Sequence, residues 1–329
     1  MLTTQCFRII IEKMATIKDI AKITGCSVMT VSRALNNPEL VKEETRKKIL
    51  AASESLGYVQ NRGARALVKG CTFNICVYIP ASLEATETFV AQTVSSIGEQ
   101  LGKRGYSLSL CRNVAFEHHF DGVIAVGLHI EDEDEFIALS KEKPAVLYGN
   151  SEKFTNWVDV DNYRGLYKIT ELVLGKGHKK IAYIGMNHHA RYVVQRKQGF
   201  LDALAAHSVT PSEDMIISTT NSEQAGFDAC ERLLERSGPT AIVCSTDLIA
   251  VGCMHALQRR GISVPDGIAV TGFDGFGYEN TVFPKLTTVK QPLYEAGVRL
   301  ADAVINIING KRQQDGIYIE PEIKNGESV

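Results

Sequence analysis

The sequence predicts an α/β protein in three parts. An N-terminal three-helix helix-turn-helix headpiece is followed by a short linker and then by a body of two doubly wound parallel-sheet lobes. Three observations carry this reading. Residues 16–35 form two short helical patterns separated by a tight turn. From Phe73 onward, short apolar strands alternate with amphipathic helices in two successive series. Charge is uneven: residues 14–70 hold ten Lys/Arg against five acids, a net of +5, although the whole chain carries −2. With +1 from residues 1–13, the remainder carries −8, so a small basic head sits on an acidic body. That distribution suits a polyanion-binding module joined to one that does not bind polyanions.

The first helix is announced by Thr16, with Asp19 three residues on, a capping box in which Asp replaces the usual Glu or Gln. Ile17, Ile20, Ala21 and Thr24 then recur on one face. Gly25 ends that helix, and Ser27 is a good N-cap for the next. The second helix, 28–35, should bury Val31, Ala34 and Leu35 and turn Val28, Met29, Ser32 and Arg33 outward. Two such helices make a helix-turn-helix, whose second helix enters the DNA major groove. After the break at Asn36-Asn37-Pro38, a third helix is expected from about Glu43 to Leu56, with Gly57 as its C-terminal stop. Lys42 stands where a Ser or Thr cap would serve better. Ile20, Ala21, Val31, Leu35, Ile49 and Leu56 should close a small, marginal core.

Ala15 to Gly70 closely resembles the DNA-binding headpiece of the lactose-repressor/galactose-repressor family of bacterial transcriptional regulators. The runs Ala15-Thr-Ile-Lys-Asp-Ile-Ala21, Thr30-Val-Ser-Arg-Ala-Leu-Asn36 and Leu56-Gly-Tyr58 carry it, and it continues in patches to the C-terminus. The resemblance implies base-reading positions at Ile17, Val28, Met29 and Arg33. It implies phosphate-contacting positions at Thr16, Ser27, Thr30, Ser32, Asn36, Thr45 and Tyr58. It also makes residues 60–70 a hinge helix that orders on DNA, with Asn61, Ala64 and Leu67 at the minor groove and Leu67 as the apolar wedge. Gln60 replaces the Pro usual there, and Gly63 lowers helicity by about 1 kcal/mol. Met14 stands where the family's chains begin, so residues 1–13 are expected to be a disordered extension or a mis-called start, and 14–59 the headpiece.

In the body, 71–329, strands are expected at 73–79, 107–111, 122–126 and 145–148, then at 180–184, 215–217, 241–244 and 268–271. Helices lie between them, at 90–104 in the first series and around 164–175, 190–206, 222–237 and 247–260 in the second. The resemblance makes this a periplasmic-binding-protein-like body with a ligand cleft between its lobes. Lobe 1 would take about 71–160 and 291–316, and lobe 2 about 161–290 and 317–329. Residues 112–120 are too few for the helix the family usually carries there, a trimming shared with some β-galactosidase-type repressors. It puts the edge of the dimer surface in question.

For the cleft, Arg196 matches the family's cleft arginine, whose planar fork suits hydroxyl pairs or carboxylates. Asp247 and Asp274 fall just past strands, where doubly wound sheets place ligands. Thr246 and Asn150 stand near positions where sugar-binding relatives carry Asn and Asp. Asn221 stands where purine-binding relatives place a stacking Phe. Together they favour a sugar effector over a nucleobase. Asp161 is either a ligand contact or an interlobe structural residue.

Other chemistry finds no support. The eight cysteines are scattered without C-x-x-C spacing and read as reduced, mostly buried thiols of a cytosolic protein. His118-His119 and His188-His189 lack further ligands at metal spacing. Glu131-Asp-Glu-Asp-Glu135 lacks the glycine of a calcium loop and reads as a solvated helix start. Gly175-Lys-Gly177 precedes a strand instead of following one, so it is no dinucleotide fingerprint. No nucleophile elbow, Walker loop or paired-carboxylate arrangement appears, and no cofactor or metal is expected. No apolar run is long enough to cross a membrane. The expectation is a dimeric repressor released from a pseudo-palindromic operator by a small-molecule effector, most simply a sugar. The rivals are a co-repressor-dependent regulator answering a purine, a sugar-binding transport protein sharing the body, and an enzyme on the same fold. The absence of a leucine heptad at the C-terminal end argues against a zipper-type tetramer.

Overall fold

The computed structural model describes residues 15–58, 70–81, 83, 88–112, 120–236, 238–311 and 315–329. The hinge positions Asn61, Ala64 and Leu67, the extension 1–13 and His118-His119 lie outside the described residues. The chain falls into two compact units, 1–73 and 74–329.

In the first unit, α1 (Ile17–Thr24), α2 (Val28–Asn36) and α3 (Glu43–Ser55) pack around one core. The capping box forms. The Asp19 N–H donates to Thr16 Oγ1 at 3.4 Å, and the Asp19 carboxylate accepts the Thr16 N–H at 2.8 Å. Gly25 takes φ 65°, a left-handed conformation a side chain would strain, and so turns the chain into α2. Ser27 caps α2 by accepting the Thr30 N–H at 3.0 Å. Ile20, Val31 and Ile49 are fully buried, with Ala21, Ala34 and Ala52 beside them. Leu35 and Leu56, expected inside, only edge this core, and the two alanines Ala34 and Ala52 take the interior instead. At about 1.5–3 kcal/mol for each large buried side chain, such a core is thin.

In the second unit, β1 (Asn74–Tyr78), β2 (Ser107–Cys111), β3 (Gly122–Val126), β4 (Ala145–Tyr148), β5 (Trp157–Val160) and β11 (Ile317–Ile319) form a sheet of order β11-β5-β4-β3-β1-β2, parallel throughout. The other sheet, order β12-β10-β9-β8-β6-β7, comprises β6 (Ile181–Met186), β7 (Ile216–Thr219), β8 (Ala241–Cys244), β9 (Ala269–Asp274), β10 (Thr287–Lys290) and β12 (Glu322–Lys324). Only the β10–β12 pairing is antiparallel. The first lobe carries α4 (Thr88–Lys103), α5 (Glu133–Ser140) and α10 (Leu293–Ile308). The second carries α6 (Asn162–Gly175), α7 (Arg191–Ala206), α8 (Glu223–Arg236) and α9 (Asp247–Arg259). Gly226 and Gly252 let α8 and α9 touch backbone to backbone: a Cβ on Gly252 would lie 2.0 Å from the Glu223 carbonyl oxygen.

The chain passes between lobes after β5, after β10 and after β11. The return to lobe 2 therefore comes later than the expected residue 317. Ile317–Ile319 pairs with Val158–Val160 of the first sheet, because its parallel register completes that sheet's edge. In both sheets the strand order reverses beside the first strand, β1 against β3 and β6 against β8. Such switch points open a crevice at the carboxyl ends of the strands.

Candidate functional sites

On the headpiece, α2 buries Val31 and Ala34 and exposes the opposite face, with Val28 at 47% and Met29 at 63% exposure. Arg33 is exposed on the same helix. Ile17 is only half-exposed, because it also packs on the core, and Tyr58 does the same. Thr16, Ser27 and Thr45 all sit at or near helix N-termini, where backbone N–H groups and the dipole favour phosphate. Ser27 and Thr30 share a hydroxyl hydrogen bond of 2.8 Å. The Asn36 amide donates to the Ser32 carbonyl at 3.0 Å and so fixes the end of α2. A rigid helix offering apolar side chains and an arginine at its open end can read base edges.

In the body, Arg196 on α7 is buried and organises the cleft floor. Its Nε donates to Asn162 Oδ1 at 2.9 Å, and its Nη1 donates to the Ser245 carbonyl at 2.7 Å and to Asp274 at 3.3 Å. The guanidinium lies 3.7 Å from the centroid of the Phe273 ring. Asp274 ends β9 at φ 129°, a conformation that costs a non-glycine residue about 1–3 kcal/mol. Gln291, at the second crossover, donates to the Asp274 carboxylate at 2.8 Å. Burial pushes Asp274 up to about 6, against the opposing pull of Arg196. Asp159 is pushed up to about 7 by burial, although it accepts the Asn150 N–H at 3.0 Å.

The structure separates the expected effector residues. Arg196 and Asp274 are hydrogen-bonded to each other in lobe 2, and Asn150 follows β4 in lobe 1 with its N–H on Asp159. Asp247 is fully buried beside Asp274, and both of its oxygens are used inside lobe 2. They accept the Thr288 hydroxyl at 2.5 Å and the Gly275 N–H at 2.8 Å, which holds the turn after β9. Thr246 caps α9 and donates to Asn221 Oδ1 at 2.8 Å, so these two act as a pair. Asp161 accepts the Arg164 N–H at 2.8 Å and caps α6 at the first crossover.

Other residues of the cleft have no local sequence signal. Phe276 follows β9 of the second lobe yet packs on the core of the first, its ring centroid 6.4 Å from that of Phe89. Phe89 in turn lies 5.4 Å from Tyr148. Gln195 of α7 donates to the Tyr318 hydroxyl of β11 at 3.1 Å. Among the described residues, the buried polar atoms without a hydrogen-bond partner include the Tyr148 hydroxyl, Asn150 Oδ1, Gln195 Oε1, His188 Nδ1, the Ser245 hydroxyl and Arg112 Nη1. At one edge a clasp joins the lobes. Arg191 of α7 donates to both oxygens of Glu133, at 2.6 and 3.2 Å, and Ser151 donates to Glu133 at 3.0 Å. His129 and His188 stack at 5.6 Å, and the Ile130 N–H donates to the His189 carbonyl at 3.3 Å. Glu133 thus corrects the expectation of a solvated acidic helix start: its carboxylate is buried because the other lobe supplies its cation. Burial and the nearby His129 and Arg196 hold His188 below the usual histidine range.

Comparison with known proteins agrees with this architecture. Residues 16–61 match the bacterial regulatory proteins of the lacI family, and residues 170–329 match a periplasmic binding protein-like domain. The chain is 32% identical to a probable HTH-type transcriptional repressor, ExuR of Bacillus subtilis (strain 168), over 90% of this chain and 92% of that one. Among solved structures, a complex of the transcriptional regulator CelR with cellobiose aligns with a TM-score of 0.72 and 25% identity, covering 96% of this chain and 100% of that one. The lac repressor dimer bound to operator and the anti-inducer ONPF aligns with a TM-score of 0.79 and 23% identity, over 96% and 99% of the two chains. The chain therefore belongs to the lacI family of bacterial regulatory proteins, and it is a DNA-binding transcriptional regulator, not an enzyme.

Proposed function

We propose that the chain is a cytoplasmic homodimeric repressor whose α2 helices read the two halves of a pseudo-palindromic operator, and whose interlobe cleft binds a sugar that releases it. The observation that carries the DNA reading is the two-sided character of α2: one face seals the headpiece core while Val28 and Met29 stand exposed beside Arg33. Arg33 would take guanine O6 and N7 in bidentate fashion, while Val28 and Met29 contact thymine methyls and Ile17 reaches from the end of α1. Thr16, Ser27, Thr30, Ser32, Asn36, Thr45 and Tyr58 set register on the phosphates, and Asn61, Ala64 and Leu67 engage the minor groove. A dimer follows because one short helix reads too few bases for a unique site.

The sugar reading is supported by the mixture of aromatic rings and neutral polar atoms around Arg196, and by the cellobiose held by CelR. Effector bound between the lobes favours one interlobe setting, operator favours the other, and the two ligands oppose each other. The test is fluorescence anisotropy of labelled imperfect palindromes from the gene's upstream region, at two salt concentrations, with and without a panel of sugars and purines. Salt-sensitive binding that survives competitor DNA and falls with one sugar is the expected result. Binding that rises with a purine would replace the induction reading by co-repression. Absence of specific binding to every palindrome would remove the operator reading.

A further inference from the structure

We propose that the stacked pair His129 and His188 is a proton-sensitive latch between the two lobes of the body, and that acid opens it. The two rings lie 5.6 Å apart between centroids and 26° from parallel. Each follows a strand at its sheet's switch point, His129 after β3 and His188 after β6, so the pair joins the lobes at the carboxyl ends of those strands. The bond from the Ile130 N–H to the His189 carbonyl and the Arg191–Glu133 pair hold the same edge. Neutral imidazoles can stack in this way, whereas two imidazolium rings repel each other.

The surroundings decide which ring resists a proton. His129 is partly exposed and has the Glu131 carboxylate 3.8 Å from its Nδ1, so a charge on it is balanced. His188 has no such acid. Its Nε2 lies 3.0 Å from the Tyr192 hydroxyl, and its Nδ1 is buried without a hydrogen-bond partner. Whichever nitrogen holds the proton of the neutral ring, the cation carries an N–H on both, and the one at Nδ1 finds no acceptor. The charges that face His188 have the wrong sign: His189 next to it, Arg196 of α7 against the far ring of Tyr192, and His129 across the gap. The nearby acids are in use. Glu133 is bonded to Arg191 and Ser151, and Glu152 to Arg191, while Asp274 is bonded to Arg196 and Gln291.

Burial first, and then those charges, hold His188 below the usual histidine range while the lobes are closed. When they part, water replaces His129 beside the ring, and His188 regains the ordinary value of about 6.5. A group that binds its proton more weakly in the closed form supports closure above that value and withdraws the support as pH falls below it. Closure is therefore full at pH 8 and weakens as the solution is acidified through about 6.5, whichever effector the cleft takes. Asp159 and Asp274 titrate in the same range, at about 7 and about 6, and both stay in place when either histidine is replaced.

The experiment is residue-resolved hydrogen exchange of the full chain at pH 8.0 and 5.5, each rate divided by the intrinsic rate at that pH. The Ile130 amide reports the interlobe edge and Val243 the core of lobe 2. In the wild type, protection of Ile130 should be at least fivefold lower at pH 5.5, with Val243 changing less than twofold. His188→Asn should keep the protection seen at pH 8.0 and cut the pH response below twofold. His129→Asn, which leaves the bond from His188 to Tyr192, should give an intermediate response, and NMR of ¹³C-labelled histidine should find His188 titrating closer to its ordinary value. Equal protection of Ile130 at both pH values in the wild type would overturn the latch, as would a parallel loss at Val243. A response undiminished in His188→Asn would assign the effect to the carboxylates and overturn it too. If His188→Asn is already open at pH 8.0, His129→Asn decides: an unchanged pH response with an unchanged His188 titration reduces the stack to a packing contact and overturns the latch.

Discussion

Replacing Arg191 by Met should open the body without unfolding it. In the closed form Glu133 is 5% exposed and Arg191 19%, and the pair makes two hydrogen bonds across the cleft. Removing one partner of a buried pair costs about 3–5 kcal/mol, because the other charge stays buried and unpaired. Here the cost is smaller, about 2–3 kcal/mol, since Arg191 is partly wetted and Ser151 still donates to Glu133. The cost falls on the closed form alone, because water reaches Glu133 once the lobes part. The closed-to-open ratio should then fall about 30- to 150-fold. The Ile130 N–H, bonded to the His189 carbonyl of the other lobe, reports the opening directly. Residue-resolved hydrogen exchange should find Ile130 exchanging faster by that factor, while Val243 in the core of lobe 2 keeps its protection. The double variant Glu133→Gln/Arg191→Met, which buries no charge, should recover much of the loss. A change at Ile130 below threefold, or parallel loss of protection at Val243, would refute the clasp.

Three further outcomes follow from the same geometry. Arg33→Ala should cost about 1–3 kcal/mol for the best operator and relax preference at one base pair in each half-site, read by anisotropy against single-substituted duplexes. Asp159 ionises at 3.8 in an unfolded chain but holds its proton to about 7 in the fold, so its contribution is full below 3.8 and is lost as pH rises through 7. Between pH 5.5 and 8 the wild type should therefore lose about 2 kcal/mol relative to Asp159→Asn in guanidinium unfolding; parallel pH profiles would rule this out. Gly252→Ala places a methyl 2.0 Å from a backbone oxygen and should cost about 1–3 kcal/mol, a fall in Tm of about 2–4 °C for each, whereas Gly175→Ala meets nothing and should be neutral or stabilising.

What the sequence made legible is what neighbouring residues decide. The capping box at Thr16 and Asp19, the turn at Gly25 and the cap at Ser27 are choices made within four residues, and all form. The strands Ser107–Cys111, Gly122–Val126, Ala145–Tyr148 and Ala241–Cys244 end where their apolar runs end. By contrast, β5 and β11 are four and three residues long, and they take strand character from pairing, β5 between β4 and β11, and β11 on β5. The sites divide in the same way. Val28 and Met29 could be placed outward from helical period alone. Asp247 could not be told from a ligand contact, because its partner Thr288 arrives 41 residues later from a neighbouring strand. Glu133 looked solvated among five consecutive acids, since Arg191, 58 residues on, gives no sign of which acid it will meet. Tyr148, Gln195 and Tyr318 are unremarkable in isolation and become a site only when three crossovers bring the lobes together.

The most direct test of the account is reciprocity between the two ligands. Affinity for the sugar should be measured on the free chain and on the chain saturated with its operator, and operator affinity should be measured with and without the sugar. Each ligand is expected to weaken the other by the same factor, about 5- to 150-fold for a coupling of about 1–3 kcal/mol. A factor of one in both directions would mean that the cleft and the headpiece do not communicate, and would contradict the account at its centre.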